Sequence, residues 1–459
     1  MTSLRRFRHD LRRGLGSALL TLQNSGAPEQ YAEAVRWACL HNTTYDYQSN
    51  GGKGWYLHQA ARFTGQAESI EADVIDAYLR CPPDGWRIEY LQDILVHFAL
   101  AGSAHSRGAL WDQYARLMTR FARSIRRDEG CMWTPESVAE ELVAVDGFEV
   151  VRTAISDFGD CLASQPDNPS RERWLYFPEW FHSDIRERFG EERVEAVLAG
   201  SATPGVRAYA ETRAEYLAAQ ERIRQTHEAH PDAAVTPENV ADMVERARRG
   251  DLDPRQIHYA VIRGFRVWDG SAIETVARMG LSETDPEIKG NLLSTFGHRG
   301  FPLPDDELGP LVDSDNDMLR GAVREILGQR AADWKRSHAL DLLERGREVE
   351  EALDLLVASY KPEDEPVVYR AIRRMSWRHD EWHTAYAGVE TLLKPADRPV
   401  TTEVLSFVYR KNLCSGCRRR TLKLMHDKGV LPAEIVRECH WDSSEDIREL
   451  AAQWGGGDV

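Results

Sequence analysis

The chain has 459 residues, a formal net charge of −16, 42% hydrophobic and 29% charged residues. This composition is typical of a folded protein and excludes a disordered chain. No apolar run approaches the roughly 20 residues that cross a bilayer, and the negative charge disfavours binding to nucleic acid or anionic membranes. Seven cysteines without a regular spacing favour a reducing compartment, so we expect a cytoplasmic protein without membrane attachment.

The N-terminus is predicted to form an amphipathic helix. Its apolar residues recur at steps of three and four, namely Leu4, Phe7, Leu11, Leu15, Leu19 and Leu22. The apolar stretch is short and no small-x-small cleavage site follows it, so we expect a helix and not a secretory signal peptide.

A glycine-rich stretch, "TTYDYQSNGGKGWYLHQ", is the strongest loop candidate. Its glycines precede a predicted helix, and backbone N–H groups exposed there can hold an anion. It is not a phosphate-binding loop of the G-x-x-x-x-G-K-[ST] type, because glycine follows the lysine and no strand precedes it. The stretch is either a flexible helix connection, since glycine-rich connections are common, or a recognition loop. The candidate residues are Asp46, Gln48, Asn50, Lys53 and Trp55.

The rest of the N-terminal half is also helical by pattern, and a long polar helix is predicted from Val206 to about Thr226. The segment "EAHPDAAVTP" that follows it is the best boundary candidate. We therefore predict two domains, an irregular α-helical N-terminal region at 1–232 and a repeat region at 233–459.

The C-terminal half is periodic. Each unit has a short polar or capping residue, then an apolar anchor that a basic residue often follows. The anchors are spaced by roughly 30 to 35 residues, at Ile257, Ile288, Leu319, Val349, Trp382, Cys417 and Ile447. Second amphipathic helices lie between them, in "GSAIETVARMGL", "DDELGPLV", "KRSHALDLLERG", "PVVYRAIRRM", "TTEVLSFVYR" and "PAEIVRE". Strand-like alternation is nearly absent, so we predict an all-α chain of helix pairs that stack to bury their apolar faces.

The repeat resembles HEAT repeats, most clearly in "DNDMLRGAV" and "SSEDIRELA". Its period is closer to the short HEAT-like units named after bilin lyases, and the resemblance covers about residues 250 to 455. The C-terminal stretch is also similar to uncharacterised bacterial HEAT-repeat proteins. The resemblance implies a HEAT-like α-solenoid preceded by a less regular helical region. It implies no activity, because such solenoids include scaffolds, lyases and nucleic-acid enzymes.

The C-x-x-C of "NLCSGCRRRTLKLMH" permits two interpretations. Cys417 occupies the apolar anchor position of its repeat, where a small thiol packs without any metal. Alternatively, Cys414, Cys417, Cys439 and His440, with Asp442 in place of His440 as a second choice, converge on a structural zinc ion. In that case stacking of adjacent repeats brings Cys439 to the other sulfurs. No other cofactor is expected.

A local run of basic residues interrupts the acidic chain. It comprises Arg410, Lys411, Arg418, Arg419, Arg420 and Lys423. Such a patch can meet phosphate or an acidic partner. The alternative is a solvated helix face together with the arginine position of the repeat, where arginine pairs with acidic caps of neighbouring units.

The sequence presents no evident set of catalytic residues, so we expect recognition rather than catalysis. The leading hypothesis is a protein-recognition scaffold or adaptor that binds a partner, with a basic surface, on the concave face of the solenoid. The alternatives are a nucleic-acid-acting protein similar to HEAT-like DNA glycosylases and a bilin-lyase-like enzyme acting on a small molecule.

Overall fold

The computed structural model describes residues 3–44, 52–82, 86–127, 135–164, 176–200, 203–229, 235–297, 299–375, 379–395, 398 and 400–455. No strand occurs in these ranges, so the all-α prediction is confirmed. No helix in the described ranges is long and apolar enough to span a bilayer.

The N-terminal half contains twelve described α-helices. In chain order they are α1 (Ser3–Arg13), α2 (Gly16–Gln23), α3 (Ala32–Leu40), α4 (Gly54–Phe63), α5 (Ala67–Arg80), α6 (Trp86–Leu100), α7 (Ala104–Arg127), α8 (Glu136–Asp146), α9 (Glu149–Ala163), α10 (Tyr176–Phe189), α11 (Glu191–Gly200) and α12 (Pro204–Ala229).

The C-terminal half contains thirteen described α-helices. They are α13 (Pro237–Arg248), α14 (Arg255–Gly264), α15 (Gly270–Ser282), α16 (Pro286–Leu293), α17 (Asp317–Gly328), α18 (Asp333–Arg345), α19 (Val349–Leu356), α20 (Glu365–Arg374), α21 (His379–Leu393), α22 (Thr402–Lys411), α23 (Ser415–Asp427), α24 (Ala433–Cys439) and α25 (Glu445–Trp454).

The chain forms two compact units. The first comprises residues 1–226, 413–419 and 432–459, and the second comprises residues 227–412 and 420–431. The predicted domains, 1–232 and 233–459, differ from this division at the C-terminus, where α24, α25 and the first turn of α23 pack with the N-terminal helices. The physical reason is a direct contact between α2 and α24.

The first unit is built around one apolar core that runs from Phe7 to Tyr209. Its helices contact the helix after next along the chain as well as the adjacent one. The alternate helices therefore lie side by side in the order α2, α4, α6, α8 and α10. The predicted N-terminal amphipathic stretch is confirmed as helical, with Phe7, Leu11, Leu19 and Leu22 buried. It is interrupted at Gly14, which has a φ of 73° and separates α1 from α2.

In the second unit, helices α14, α16, α17, α19 and α21 also lie side by side in that order. Six of the seven predicted anchors are confirmed as buried, each with 7% or less of its surface exposed, although two of them, Cys417 and Ile447, lie in the first unit. The side chain of the seventh, Trp382, lies outside the described residues.

One predicted helix is wrong, because "DDELGPLV" forms two short 3-10 turns, Asp305–Glu307 and Gly309–Leu311. Pro310 lies within this stretch, and proline lacks the N–H that a continuous helix needs.

The capping residues of two predicted units, Asp285 and Asn316, have a defined role. The side chain of Asp285 accepts a hydrogen bond of 3.1 Å from the backbone N–H of the anchor Ile288. The side chain of Asn316 accepts one of 2.9 Å from the backbone N–H of Leu319. In both cases a side chain satisfies one of the free N–H groups of the first helical turn. The spacing of three between cap and anchor is therefore dictated by helix geometry.

An arginine that directly follows an anchor binds the loop that precedes its own helix. Arg320 donates to the carbonyl oxygen of Ser314 at 2.8 Å, and Arg448 donates to that of Asp442 at 2.9 Å. Arg320 additionally forms an ion pair with Glu348, just before the next anchor. The arginines of the repeat thus fix the interhelical loops by charge-assisted hydrogen bonds.

Candidate functional site

A cleft of about 660 Å³ lies in the first unit, where helices α4, α23 and α25 begin. It is lined by small polar residues, three carboxylates, a histidine, an arginine and a tryptophan. We call it the Asp93 cleft, and its residues are Gly52, Gly54, Trp55, Asp93, His97, Ser415, Gly416, Ser443, Ser444, Glu445, Asp446 and Arg448.

Two glycines of the glycine-rich stretch, Gly52 and Gly54, lie directly against α6. A Cβ atom at Gly52 would lie 1.9 Å from Oδ2 of Asp93, and one at Gly54 would lie 2.2 Å from the Asp93 carbonyl oxygen. No side chain larger than hydrogen fits at such distances. The glycines therefore allow the beginning of α4 to approach the Asp93 carboxylate.

The Asp93 carboxylate occupies the helix N-terminus that was predicted to hold an anion. Its Oδ2 accepts the backbone N–H of Gly54 at 2.5 Å, so the anion at this position belongs to the chain itself. The Asp93 side chain has 16% of its surface exposed to solvent, on the side that borders the cleft. Burial raises the pKa of Asp93 to about 6, and the hydrogen bond from Gly54 opposes this rise.

Asp93 has no cationic partner among the described residues. His97, one turn later on α6, places Nε2 3.8 Å from Oδ1 of Asp93. Burial lowers the pKa of His97 to about 4, and the nearby His58 and Arg448 act in the same direction. At neutral pH His97 is therefore uncharged, and the Asp93 carboxylate carries an uncompensated negative charge.

The titration of Asp93 predicts a pH-dependent stability. The pKa of about 6 in the folded protein exceeds the value of about 3.9 for an unfolded aspartate. Its contribution to stability is thus fully present below about pH 4 and is lost as the pH rises through 6. Between pH 4 and 7, the unfolding free energy of the wild type should fall by about 2 kcal/mol relative to Asp93→Asn.

Urea unfolding of both proteins at a series of pH values measures this difference. Asp112→Asn, which neutralises an exposed carboxylate on α7 outside the cleft, is the matched control and should follow the wild type. Parallel pH profiles for Asp93→Asn and the wild type would exclude the proposed titration.

The one arginine of the cleft is already engaged. Arg448 donates to the carbonyl oxygens of Asp442 and Ser443, and its guanidinium lies 4.1 Å from the centre of the Trp55 ring. Trp55 is stacked in turn on Trp441, with ring centroids 6.3 Å apart. Arg448 therefore acts as part of the wall and does not project a free charge.

The remaining carboxylates make the cleft acidic. Glu445 and Asp446 begin α25 and are exposed, and Asp446 lies 3.2 Å from Arg419. Together with Asp93 they place three carboxylates around a cleft whose wall contains a single engaged arginine.

The candidate residues of the recognition loop have different positions. Trp55 lines the cleft, whereas Asp46, Gln48 and Asn50 lie outside the described residues. Lys53 is 5% exposed, and its Nζ donates to the carbonyl oxygens of Arg12 and Thr43, each at 2.7 Å. Burial lowers the pKa of Lys53 to about 7, and repulsion from Arg418 contributes. Lys53 thus joins the loop to neighbouring backbone and does not line the cleft.

The predicted basic patch is not a set of equivalent surface charges. Arg418 is wholly buried and forms an ion pair of 2.8 Å with the equally buried Asp442. It also donates to the carbonyl oxygen of Leu413 at 3.1 Å. Arg320 and Arg448 bind carbonyl oxygens of their own preceding loops in the same way. This agrees with the alternative interpretation, in which the arginine pairs with an acidic residue of the neighbouring repeat.

The other candidate residues of the patch are more exposed than Arg418. Arg419 is half-buried beside Asp446. The second unit contains the remaining four, of which Arg420 lies 3.4 Å from Glu390 and Lys423 is exposed. Arg410 and Lys411 end α22 and are half-buried.

The C-x-x-C follows the cap and anchor pattern of the repeat. The backbone N–H of Cys417 donates to Sγ of Cys414 at 3.4 Å, just as Ile288 donates to Asp285. Both cysteines are buried, and their sulfurs lie within 4.8 Å of each other. Cys414 is therefore the cap and Cys417 the anchor of α23.

The zinc hypothesis required Cys439 and His440 to join these sulfurs. Cys439 is wholly buried at the end of α24, and His440 follows it, half-buried. In the described part of the chain, neither places a ligand atom within 4.8 Å of both Cys414 and Cys417 sulfurs. The first unit thus supplies two adjacent sulfurs where a structural site needs four ligands. Zinc binding stays a prediction, and elemental analysis of the purified protein tests it.

Sequence reasoning did not identify Asp93, His97 or the serines of the α25 loop. One signal was present, because "WRIEYLQDILVHFAL" has Asp93 and His97 four residues apart in a strongly apolar helix. Between Leu91 and Ala99, these are the two positions of α6 that are not buried. Polar residues at this spacing share one helix face and mark the side that the core does not cover.

Comparison of the chain with protein-family models, with curated proteins and with solved structures gives no match. The function has to be inferred from the chemistry of the site.

Proposed function

We propose that this protein is a cytoplasmic protein-recognition scaffold, and that the Asp93 cleft binds a basic side chain of its partner. The observation that carries the proposal is the Asp93 carboxylate, which is largely buried, borders a cleft and has no cationic partner among the described residues. A buried charge without a counter-charge is unfavourable, so a cation that enters the cleft gains an interaction that water supplies poorly.

The scaffold part of the proposal is supported by the packing of the second unit. Helices α14, α16, α17, α19 and α21 contact one another in this order, and the predicted anchors of the first four are buried. Stacked helix pairs of this kind are the basis of HEAT-like solenoids, whose extended surfaces bind partners. We therefore retain a HEAT-like solenoid as part of the proposal, but limit it to the second unit, because residues 432–459 belong to the first.

The chemistry of the cleft favours an arginine or lysine side chain as the ligand. Asp93 and Glu445 provide carboxylate oxygens, which accept hydrogen bonds from guanidinium or ammonium groups. The volume of about 660 Å³ is within the usual range for a ligand pocket and accommodates one side chain with its flanking backbone.

Nucleic acid is the less favoured partner, because the three carboxylates of the Asp93 cleft repel phosphate. In the Asp93 cleft the one arginine already binds carbonyl oxygens, and in the predicted basic patch Arg418 is buried against Asp442. The bilin-lyase-like alternative has no supporting observation in the described part of the chain.

A labelled peptide that contains arginine and lysine tests the proposal, with the corresponding glutamate peptide as the negative probe. Fluorescence anisotropy at low salt should show binding of the basic peptide alone. Asp93→Asn should weaken it about tenfold, equivalent to about 1.4 kcal/mol. Asp112→Asn, with the same change in net charge, should bind like the wild type.

A change of pH provides a second comparison. Because the pKa of Asp93 is about 6, the wild type should bind the peptide more weakly at pH 5 than at pH 7.5. Asp93→Asn should lack most of this difference. Equal losses in Asp93→Asn and Asp112→Asn would indicate non-specific attraction by net charge and contradict the proposed site.

A further inference from the structure

We propose that Cys414 and Cys417 are a redox-active dithiol, which forms a reversible disulfide by exchange with a low-molecular-weight disulfide such as glutathione disulfide. This activity goes beyond the proposed recognition function and does not depend on it. The C-x-x-C motif has no part in the proposed recognition of a basic partner.

The arrangement of the two cysteines is suited to disulfide formation. Their sulfurs lie within 4.8 Å of each other, so rotation of the side chains is needed to close the bond and no element has to move far. The hydrogen bond from the Cys417 N–H to Cys414 Sγ directs the cap sulfur towards the second cysteine. Other capping residues of the repeat, Asp285 and Asn316, carry oxygen at this position and have no such chemistry.

The two thiols differ in their access to a reagent. Cys414 is 6% exposed, whereas Cys417 is completely buried. Gly416, between them, is exposed, and a Cβ atom placed on it would have a single neighbour within 4 Å, the Cys414 sulfur at 3.7 Å. A small reagent can therefore approach Cys414 over Gly416, which lines the Asp93 cleft. This assigns Cys414 as the attacking thiol and Cys417 as the resolving thiol.

The electrostatic setting also favours attack by Cys414. It precedes the first residue of α23, where free backbone N–H groups and the positive end of the helix dipole stabilise an anion. The guanidinium of Arg418 lies on the same first turn and donates to the carbonyl oxygen of Leu413, beside Cys414. The attacking species in thiol–disulfide exchange is the thiolate, so both features act on the reactive form.

The exchange proceeds in two balanced steps. The Cys414 thiolate attacks one sulfur of glutathione disulfide, which forms a mixed disulfide and releases one glutathione thiolate. The Cys417 sulfur, after loss of its proton, then attacks the Cys414 sulfur and releases the second glutathione. The two protein thiols lose two electrons and two protons, and glutathione disulfide gains them as two glutathione thiols.

The sequence provides a convenient readout. Trypsin cleaves after Lys411 and Arg418, so both cysteines lie in one peptide, "NLCSGCR". The full-length protein is equilibrated in glutathione buffers of increasing oxidised fraction, quenched in acid, unfolded, labelled with N-ethylmaleimide and digested. In oxidising buffer this peptide should lose both labels and become about 2 Da lighter than its reduced, unlabelled form.

Three variants test the assigned roles. Cys417→Ser should accumulate one glutathione on Cys414, because the resolving thiol is absent. Cys414→Ser should leave Cys417 labelled, because that thiol is buried. Cys439→Ser removes another buried thiol and should still form the disulfide. The wild-type measurement does not depend on any variant being folded.

The proposal is overturned if both cysteines of the wild-type peptide stay labelled in every buffer. It is also overturned if the purified protein contains about one zinc per chain and oxidation of the pair releases it, since the sulfurs then serve as metal ligands. Reaction of Cys414→Ser at the wild-type rate would reject the assignment of Cys414 as the attacking thiol.

Discussion

Replacement of Arg418 by methionine is expected to lower the free energy of unfolding by about 3–5 kcal/mol, because it leaves the buried carboxylate of Asp442 without its counter-charge. Both side chains are inaccessible to solvent, and the ion pair between them measures 2.8 Å. Asp442 also accepts the backbone N–H of Ser444 at 2.9 Å, which is too little to stabilise an isolated buried charge.

The position of this pair enlarges the expected effect. Arg418 lies in the first turn of α23, and Asp442 lies in the loop that precedes α25. The same loop receives the side chain of Arg448 and forms one wall of the Asp93 cleft. Loss of Arg418 should thus loosen the cleft as well as destabilise the first unit.

Equilibrium urea unfolding, followed by circular dichroism, measures the loss. Arg419→Met is the matched control, because Arg419 is the next residue, is 41% exposed and pairs with the exposed Asp446. An exposed pair of this kind contributes about 0–1 kcal/mol. The double variant Arg418→Met, Asp442→Leu should recover part of the loss, since it removes the unpaired charge too. Equal effects of Arg418→Met and Arg419→Met would contradict the buried-pair interpretation.

The helices and their buried anchors could be predicted from the sequence because both depend on local rules. The spacing of three residues between a capping residue and its anchor is a consequence of helix geometry, and the structure places Asp285 and Asn316 as caps accordingly. The same rules explain the position of Cys414 and Cys417. In "DDELGPLV" the apolar pattern predicted one helix, but Pro310 interrupts it and two short 3-10 turns form instead.

The Asp93 cleft could not be predicted in the same way, because it depends on contacts between distant parts of the chain. Gly52 is needed because the carboxylate of Asp93, 41 residues later, lies against it, and no local pattern of the loop reveals this contact. Arg418 and Lys53 show the opposite error. Lys53 was predicted as part of a recognition loop and Arg418 as part of a basic patch or as the partner of an acidic cap. Both are buried, and their charged groups bind distant acceptors such as the Arg12 carbonyl oxygen and the Asp442 carboxylate.

The packing of the C-terminus against the N-terminus is the largest feature that the sequence concealed, and Gly16 provides a direct test of it. Replacement of Gly16 by alanine is expected to destabilise the first unit by about 3 kcal/mol, near the upper end of typical overpacking effects. A Cβ atom at this position would lie 1.7 Å from the carbonyl oxygen of Glu438 on α24. The obstructing atom belongs to the backbone, so side-chain rotation cannot relieve the clash and α24 has to move away from α2.

The displacement should be local and measurable by hydrogen–deuterium exchange. Backbone amides of α24 and α25 should exchange faster in Gly16→Ala than in the wild type, whereas those of α13 and α14 in the second unit should not change. Gly108→Ala is the matched control, because Gly108 is also helical but has no atom within 4 Å of a built Cβ. Alanine there should stabilise α7 by about 1 kcal/mol, since glycine is the poorer helix former. Stabilisation of Gly16→Ala to the same degree would mean that α24 does not pack on α2 in solution, and the C-terminal wall of the Asp93 cleft would then lose its support.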